Sequence, residues 1–256
     1  VWVANEGLIF STSEEMLKHN KGITEFSGAY TSYFDRGAGV GWVQSGTCEW
    51  RIDEEGLLTI RPIGGRAEGV LDNYNGPSPW FRNDSVKAVK VTDKVIAATC
   101  RDMFSECRNL QSIDLSGLDT GKVTDVSYML YGTSLKYADI SGLNFASVDS
   151  SVGIFGDNQN LAWVSLPGDL AIVGENAFLG CENLKELDIP LGVSAVSQNA
   201  FENCSRLLSV YYPNEKADRD LVRIDDGNES LVGADWKYNH THQWGDVEAF
   251  DPTCTE

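Results

Sequence analysis

The sequence predicts a solenoid, in which short coils of chain stack along one axis and share one core. The first observation is a pair of matching segments, residues 174–190 and 197–213. In each, an Asn-Ala-Phe triplet is followed by Cys three residues after the Phe and by Leu three residues after the Cys. The offset is constant, since Phe178 and Phe201 are separated by 23 residues, as are Cys181 and Cys204.

The second observation is that the pattern continues toward the N-terminus, in residues 102–118, 128–143 and 153–168. We call the place of the Phe in each copy the ring position. The middle copy has Leu130 at the ring position, and it lacks one residue between that position and the Leu that follows. The last inward position of each predicted strand recurs in steps of 25, 26, 23 and 23 residues, at Leu115, Ile140, Leu166, Ile189 and Tyr212. These steps lie within the range of about 20–29 residues of leucine-rich repeats. We therefore predict a leucine-rich-repeat solenoid, α/β or mostly β, with short parallel strands on one face.

The third observation is the alternation within each copy. A segment such as LKELDI directs every second side chain inward, and the preceding Phe fills the core from the opposite wall. No coil can bury its own core, so each needs a neighbour. Cys181 and Cys204 should then lie one above the other as buried thiols, with a disulfide as the alternative. The pairing of Cys48, Cys100 and Cys254 stays open.

The segment before the repeats predicts an N-terminal β cap, residues 46–96. Alternation over Cys48–Ile52, a turn at residues 54–56 and a return through Leu58 and Ile60 indicate a hairpin. After a Gly-, Asn- and Pro-rich loop that Trp80 closes, residues 86–96 alternate again and should form the first stacked strand. The Trp50 hairpin and the Trp80 segment are expected to cover the open end of the solenoid, which spans residues 97–213.

The two ends of the chain are less regular. Residues 1–45 are predicted to be irregular or a small accessory β unit, with a short helix near Ser13. Residues 214–256 are predicted to be a C-terminal cap and tail. In that cap we expect four apolar side chains to face inward around a turn at residues 226–228, namely Leu221, Ile224, Leu231 and Trp236.

These segments together resemble a known family. The hairpin SGTCEWRIDEEGLLTI, the loop ending PSPWF and the units MFSECRNLQSIDL and NAFLGCENLKELDIP are similar to the BspA-like leucine-rich-repeat surface proteins of gut and oral bacteria. The likeness covers roughly residues 45–238; Leu130 stands for the usual Phe, and Thr133 and Asn158 stand for Cys. The resemblance implies an extracellular, cell-surface protein that binds host or microbial proteins or glycans and is not an enzyme. Residues 1–45 match no pattern and could hold a separate activity.

The net charge of the chain further limits the classes of partner that it can bind. The chain has 38 acidic and 20 basic residues, a formal net charge of −18. Such a field repels phosphate backbones, so nucleic acid and anionic membranes are poor partners. No apolar run reaches the roughly 18 residues of a membrane span. Because the chain starts at Val1 without a signal segment, we expect a mature or excised fragment.

Motifs for chemistry are weak, and we predict no catalytic residues, no metal and no cofactor. Residues 117–123, GLDTGKV, lack the spacing of a phosphate loop. His240, His242 and Asp246 offer too few ligands for zinc on their own. The acidic turn at residues 225–229 lacks the spacing of an EF-hand and should be a polar turn. No GxSxG elbow is present, although carboxylate pairs cannot be eliminated by counting.

Binding is therefore predicted on the strand face, at side chains that alternate with the core positions. These are Ser112, Asp114, Ser116, Tyr137, Asp139, Ser141, Trp163, Ser165, Glu186, Asp188, Ser209 and Tyr211. We select six as candidate ligand-binding residues, because aromatic rings with a polar surround anchor partners: Tyr137, Trp163, Tyr211, Asp139, Glu186 and Asp188. The alternatives are that the rings only cover neighbouring strands, that the solenoid is a spacer presenting another module, or that an enzyme lies outside the repeats.

Overall fold

The computed structural model describes residues 2–3, 9–10, 41–74 and 77–239. Its strands are short, and most have two to four residues. In chain order they are β1 Trp2–Val3, β2 Ile9–Phe10, β3 Val43–Ser45, β4 Cys48–Ile52, β5 Leu57–Pro62, β6 Glu68–Val70, β7 Ala88–Val91, β8 Lys94–Ile96, β9 Ser112–Asp114, β10 Leu118–Asp119, β11 Tyr137–Asp139, β12 Trp163–Ser165, β13 Ile172–Val173, β14 Glu186–Asp188, β15 Ala195–Val196, β16 Ser209–Tyr212, β17 Arg223–Ile224 and β18 Asp235–Tyr238.

The stacked coils place these strands in parallel sheets, which confirms the predicted solenoid. One wall carries two five-stranded sheets, in the orders β3-β4-β5-β7-β9 and β11-β12-β14-β16-β18. Beyond the bend that follows each main strand lie two three-stranded sheets, β6-β8-β10 and β13-β15-β17. Among the described strands, all coil-to-coil pairings are parallel, and only β3–β4–β5 and β1–β2 pair antiparallel. The gap between β9 and β11 falls where one coil is a residue shorter.

The predicted hairpin is present and closes the N-terminal end of the stack. β4 and β5 pair antiparallel with Trp50 opposite Ile60, and β5 then pairs parallel with β7. The Trp50 ring meets the Trp80 ring edge to face, with centroids 5.6 Å apart. The hairpin therefore covers the exposed end of the core, as expected for a terminal cap.

Two local predictions in this region are corrected. Residues 86–96 form two strands in different sheets, because the chain turns at Asp93, whose φ is 58°. Trp80 is not a cap residue but the ring of the first coil: it stacks on Phe104 at 6.1 Å and 22°. The signal was in the sequence, since Trp80 and Phe104 are 24 residues apart, as are Val91 and Leu115.

Five coils bend at two positions with left-handed backbone, two residues before and two residues after the ring position, and the coil of Trp80 has only the second. The set after the ring is Arg82, Glu106, Gly132, Asp157, Gly180 and Asn203, and the set before it is Asp102, Tyr128, Gly153, Asn176 and Asn199. Gly, Asn and Asp tolerate this conformation best, which explains why the Asn of the Asn-Ala-Phe triplet recurs. Arg82, Glu106 and Tyr128 are the exceptions, with φ of 55°, 54° and 57°.

The C-terminal cap departs from prediction at one residue. Two single-turn helices, α1 Lys216–Arg219 and α2 Glu229–Val232, flank β17. Leu231 is fully buried, and Ile224 and Trp236 pack partly against the core. Leu221 is 81% exposed, so the expectation that it faces inward is wrong. Residues 240–256 and the predicted short helix near Ser13 lie outside the described residues.

A single core runs through the whole stack, and the cysteines belong to it. The five described cysteines are buried and form no disulfide, so the buried-thiol alternative for Cys181 and Cys204 is confirmed. In three coils the thiol donates to the carbonyl oxygen of the ring residue one coil earlier: Cys107 to Trp80 at 3.0 Å, Cys181 to Phe155 at 3.1 Å and Cys204 to Phe178 at 3.2 Å. The Cys position thus joins consecutive coils through a weak hydrogen bond.

Candidate binding surface

The outward-facing side chains form two straight rows across β11, β12, β14, β16 and β18. One row is Tyr137, Trp163, Glu186, Ser209 and Asp235, and the other is Asp139, Ser165, Asp188, Tyr211 and Lys237. The row between them, Ala138, Val164, Leu187, Val210 and Trp236, packs into or against the core. Strand neighbours lie about 4.8 Å apart, so the register brings the six candidate residues onto one face.

Exposure differs among those six. Asp139 is exposed, and Tyr137, Glu186 and Asp188 are half-buried. Trp163 and Tyr211 are only 5% and 7% exposed, although neither belongs to the core cluster. The prediction that these two rings stand on an exposed strip is therefore wrong. Large rings directly beside the side chains of adjacent strands pack on the sheet surface and lose contact with water.

Asp139 also has a structural task in its turn. Its Oδ1 accepts hydrogen bonds from the backbone N–H of Ser141 at 3.0 Å and from the Ser141 hydroxyl at 2.7 Å. Asp114 and Ser116 repeat this arrangement one coil earlier, and those bonds from Ser116 lower the pKa of Asp114. The Asp-x-Ser pattern therefore ends the strand with a side-chain turn.

A cleft of about 630 Å³ opens beside the first row, where the chain enters the strands. Its lining combines three cations, three amides, two hydroxyl groups and an alanine, from Lys136, Lys185, Arg206, Gln111, Asn160, Asn183, Ser134, Tyr137 and Ala162. The Lys136 ammonium lies 4.9 Å from the centroid of the Tyr137 ring. Of the six predicted site residues, this cleft includes Tyr137 alone.

The sequence analysis missed these cations, although a positional signal exists. Lys136 and Lys185 each follow the inward Leu of their coil directly, and Arg206 precedes the corresponding Leu207. Such positions read as ordinary solvated surface in a single coil. Only the stacking of coils brings them to one cleft.

A second, smaller pocket of about 340 Å³ adjoins this cleft and shares Ser134 and Asn160 with it. Here the charges are mixed. Glu106 is paired with Arg82 and with Arg108 at 3.0 Å, and its hydrogen bond from Arg82 is the main reason why its pKa is lowered. Asp157 and Tyr131 complete the charged and aromatic part of the wall. The acidic and basic side chains of this pocket neutralise one another, whereas the described lining of the larger cleft has three cations and no acidic residue.

The segments tested for chemistry have structural explanations. In residues 117–123, a Cβ on Gly117 would lie 2.4 Å from the Asp93 carbonyl oxygen, so a close approach of two coils requires glycine there. In the acidic turn, the Asn228 Oδ1 accepts the Phe201 N–H at 2.9 Å, and its Nδ2 donates to the carbonyls of Ser197 and Asp225. In earlier coils, the N–H of the residue at the ring position donates to a backbone carbonyl of the next coil. The Phe178 N–H, for example, donates to the Ala200 carbonyl. Asn228 thus caps the last coil.

Metal-binding arrangements and membrane helices can be assessed for the described residues only. Among them, no three His, Cys, Asp or Glu side chains come together as metal ligands would. Within the same part of the chain, no helix has the length and apolar character needed to cross a membrane. His240, His242, Asp246 and Cys254 fall outside it.

Stacked coils, parallel strands on one wall and a ring–Cys–Leu core define a leucine-rich-repeat solenoid protein. Residues 77–208 match the BspA type leucine rich repeat region in six copies. That match covers more than half of the chain, and the protein belongs to this family. Its six copies agree with the six ring positions from Trp80 to Phe201.

Solved structures with related architecture come from bacteria. The Treponema pallidum leucine-rich-repeat protein shares 16% identity, with 75% of this chain and 96% of that one covered and a TM-score of 0.32. A leucine-rich-repeat protein of Bacteroides ovatus shares 14%, covering 71% and 66%, with a TM-score of 0.28. A leucine-rich cell surface protein of Faecalibacterium prausnitzii shares 13%, covering 73% and 99%, with a TM-score of 0.25. No curated protein matches the sequence.

Proposed function

We propose that this chain is an extracellular, cell-surface protein of a bacterium and that it binds a protein or glycan partner through the outer face of its strand wall. The observation that carries the proposal is the register of the two outward rows. They align Tyr137 with Glu186, and Asp139 with Asp188, across one continuous sheet. Membership in a bacterial leucine-rich-repeat family supports the same function.

The physical basis is rigidity. On β11, β12, β14 and β16 the inward neighbour of the outward side chains is buried, as are Val164 and Leu187, at 0% exposure. The face therefore presents its groups without a large ordering cost when a partner binds. Tyr137 and Asp139 lie on β11, and Glu186 and Asp188 occupy the same two rows two strands further along. The face thus combines an aromatic ring with carboxylate hydrogen-bond acceptors, an arrangement that suits recognition.

Such a face needs no catalytic group. The described thiols are buried, and burial raises the pKa of Cys100 and Cys107 to about 12, which removes them as nucleophiles. We therefore propose a binding role for this face in which these thiols take no part.

Binding of the purified chain to an array of host matrix proteins and glycans tests this function. Ligands that bind wild type should lose affinity when Asp139→Asn, Glu186→Gln and Asp188→Asn are combined. The matched control removes three exposed carboxylates elsewhere, with Asp149→Asn, Glu175→Gln and Glu202→Gln. Equal losses in both variants would contradict a specific face, and no binding at micromolar concentration would favour a spacer.

A further inference from the structure

Three cations of the described residues line one cleft of a molecule that is acidic in net charge. The chain carries a net charge of −18, yet Lys136, Lys185 and Arg206 line one cleft, and none of the nine described residues around it is acidic. All three cations are exposed. An anion approaching this protein is repelled over most of the surface and attracted locally at the cleft.

We propose that this cleft binds an acidic glycan, a linear oligosaccharide whose sugars carry carboxylate or sulfate groups. The proposal deepens the binding function above by naming a ligand class. It uses a different set of side chains, with Tyr137 as the shared member, so each can fail without the other.

The spacing of the cations follows the axis of the solenoid. Lys136 directly precedes β11 and Lys185 directly precedes β14, and β12 lies between them. Two strand spacings separate their backbones by about 10 Å. Arg206 belongs to the next coil, which contributes β16. A linear polymer that carries several anionic groups and lies along this axis can contact all three cations, whereas a compact anion cannot span the two coils from Lys136 to Lys185 and the next coil to Arg206 at once.

Arg206 is held in place before any ligand arrives. Its Nη1 donates to the Asn183 Oδ1 at 2.6 Å, and the Asn183 Nδ2 donates to the Gln159 carbonyl at 2.6 Å. This chain of bonds crosses three consecutive coils. It fixes the planar guanidinium, whose remaining N–H groups can donate to a carboxylate or sulfate as a pair, and it reduces the entropy lost on binding.

The rest of the lining favours a sugar over an acidic peptide. Gln111 and Asn160 bring amides, Ser134 and Tyr137 bring hydroxyl groups, and Ala162 is the one aliphatic residue among the nine that line the cleft. Amides and hydroxyls match the alternating donors and acceptors of sugar rings. The lining offers few apolar contacts for the anchoring side chains of a peptide, and the glutamate octamer in the test below compares the two ligand classes directly.

Calorimetric titration of the whole chain tests this assignment. The probes are an octamer of galacturonic acid, a heparin-derived octasaccharide, neutral maltooctaose and an octamer of glutamate. The variant combines Lys136→Ala, Lys185→Ala and Arg206→Ala. The control removes three exposed cations elsewhere, with Arg66→Ala, Lys122→Ala and Lys216→Ala, so both variants change the net charge equally.

We expect at least one acidic octasaccharide to bind, affinity to fall about tenfold or more in the cleft variant and little in the control, and added salt to weaken binding. The outer-face variant Asp139→Asn, Glu186→Gln, Asp188→Asn should keep this binding, which separates the two proposals. Three results would overturn the inference: no binding of either acidic octasaccharide, equal losses in both alanine variants, or tighter binding of the glutamate peptide.

Discussion

The rings of Phe178 and Phe201 stack with their centroids 4.9 Å apart and their planes 12° from parallel. Phe155 continues the column at 5.3 Å and 11°. Both ring distances are close to the spacing of about 4.8 Å between neighbouring strands on the opposite wall. A single translation of about this length along the axis therefore relates one whole coil to the next. Leu130 interrupts the column, in the coil that is one residue short.

Loss of a ring from the middle of this column should be costly. Phe178→Ala removes a fully buried side chain that contacts rings on both sides, and we expect unfolding free energy to fall by about 3–5 kcal/mol. Phe178→Leu, which copies the residue at Leu130, should cost less. Denaturant titration measures both, with Leu208→Ala at a 65% exposed position as the control. A cost of Phe178→Ala no larger than that of the control would contradict a shared core.

Replacing Asn158 by Cys, the residue that is usual at this position in the family, should destabilise the protein. The Asn158 Oδ1 accepts the backbone N–H of Thr133 at 2.9 Å and its hydroxyl at 2.6 Å. In other coils the ring residue's carbonyl accepts this N–H, as Phe178 does from Cys181. In the short coil, the carbonyl of Leu130 is instead bonded by the Asn158 Nδ2 at 2.7 Å.

Asn158→Cys therefore leaves the buried Thr133 N–H without its acceptor, and we expect a loss of about 1–3 kcal/mol. Asn158→Asp, which keeps the acceptor but not the amide donor, and Asn158→Ala complete the series. Chemical denaturation provides the measurement. If the cysteine variant proved as stable as wild type, Asn158 would not be compensating for the missing residue.

Gly153 and Tyr128 depend on each other across two coils. A Cβ on Gly153 would lie 2.6 Å from the Tyr128 Cε1, and the glycine has φ +58°. Gly153→Ala should therefore cost about 2–4 kcal/mol through both the ring clash and the left-handed backbone. In a Tyr128→Ala background only the backbone part of about 1 kcal/mol should remain. Gly168→Ala, where nothing lies within 4 Å, is the control. Simple additivity of the two changes would rule out the proposed clash.

Alkaline pH should weaken the fold through its buried thiols. Burial raises the pKa of Cys107 and Cys204 to about 12, whereas an unfolded Cys ionises near pH 8.5. The folded state holds these protons longer, so the stabilising contribution is intact below about pH 8.5 and decreases between about pH 8.5 and 12. The expected loss is about 1.4 kcal/mol per thiol for each pH unit in that window.

Thermal unfolding at pH 7 and pH 10 measures this dependence, and Cys107→Ala should make it shallower. Alkylation offers a second check, because the described thiols should react with iodoacetamide only after unfolding in guanidinium. Ready modification of Cys107 or Cys204 in the folded protein would contradict the burial on which this prediction depends.

Much of the candidate site followed from alternation alone. Tyr137, Glu186 and Asp188 were placed on the outer face because Ala138 and Leu187 belong to the core pattern, and a strand alternates its faces. The degree of burial of Trp163 and Tyr211 did not follow, since it depends on what adjacent strands place beside each ring. The cleft did not follow either: Lys136, Lys185 and Arg206 are 21 to 70 residues apart in sequence.

The sequence by itself determined the period of the coils and which side chains face inward, because each coil has one solution for burying its ring, Cys and Leu, and stacking repeats it. The tertiary structure decided everything that depends on one coil meeting the next. The Asn158 side chain accepts the Thr133 N–H, the Asn228 side chain accepts the Phe201 N–H, and three cations that are far apart in sequence line one cleft. Those relationships are set by the axial spacing between coils, which places side chains more than 20 positions apart within hydrogen-bonding distance.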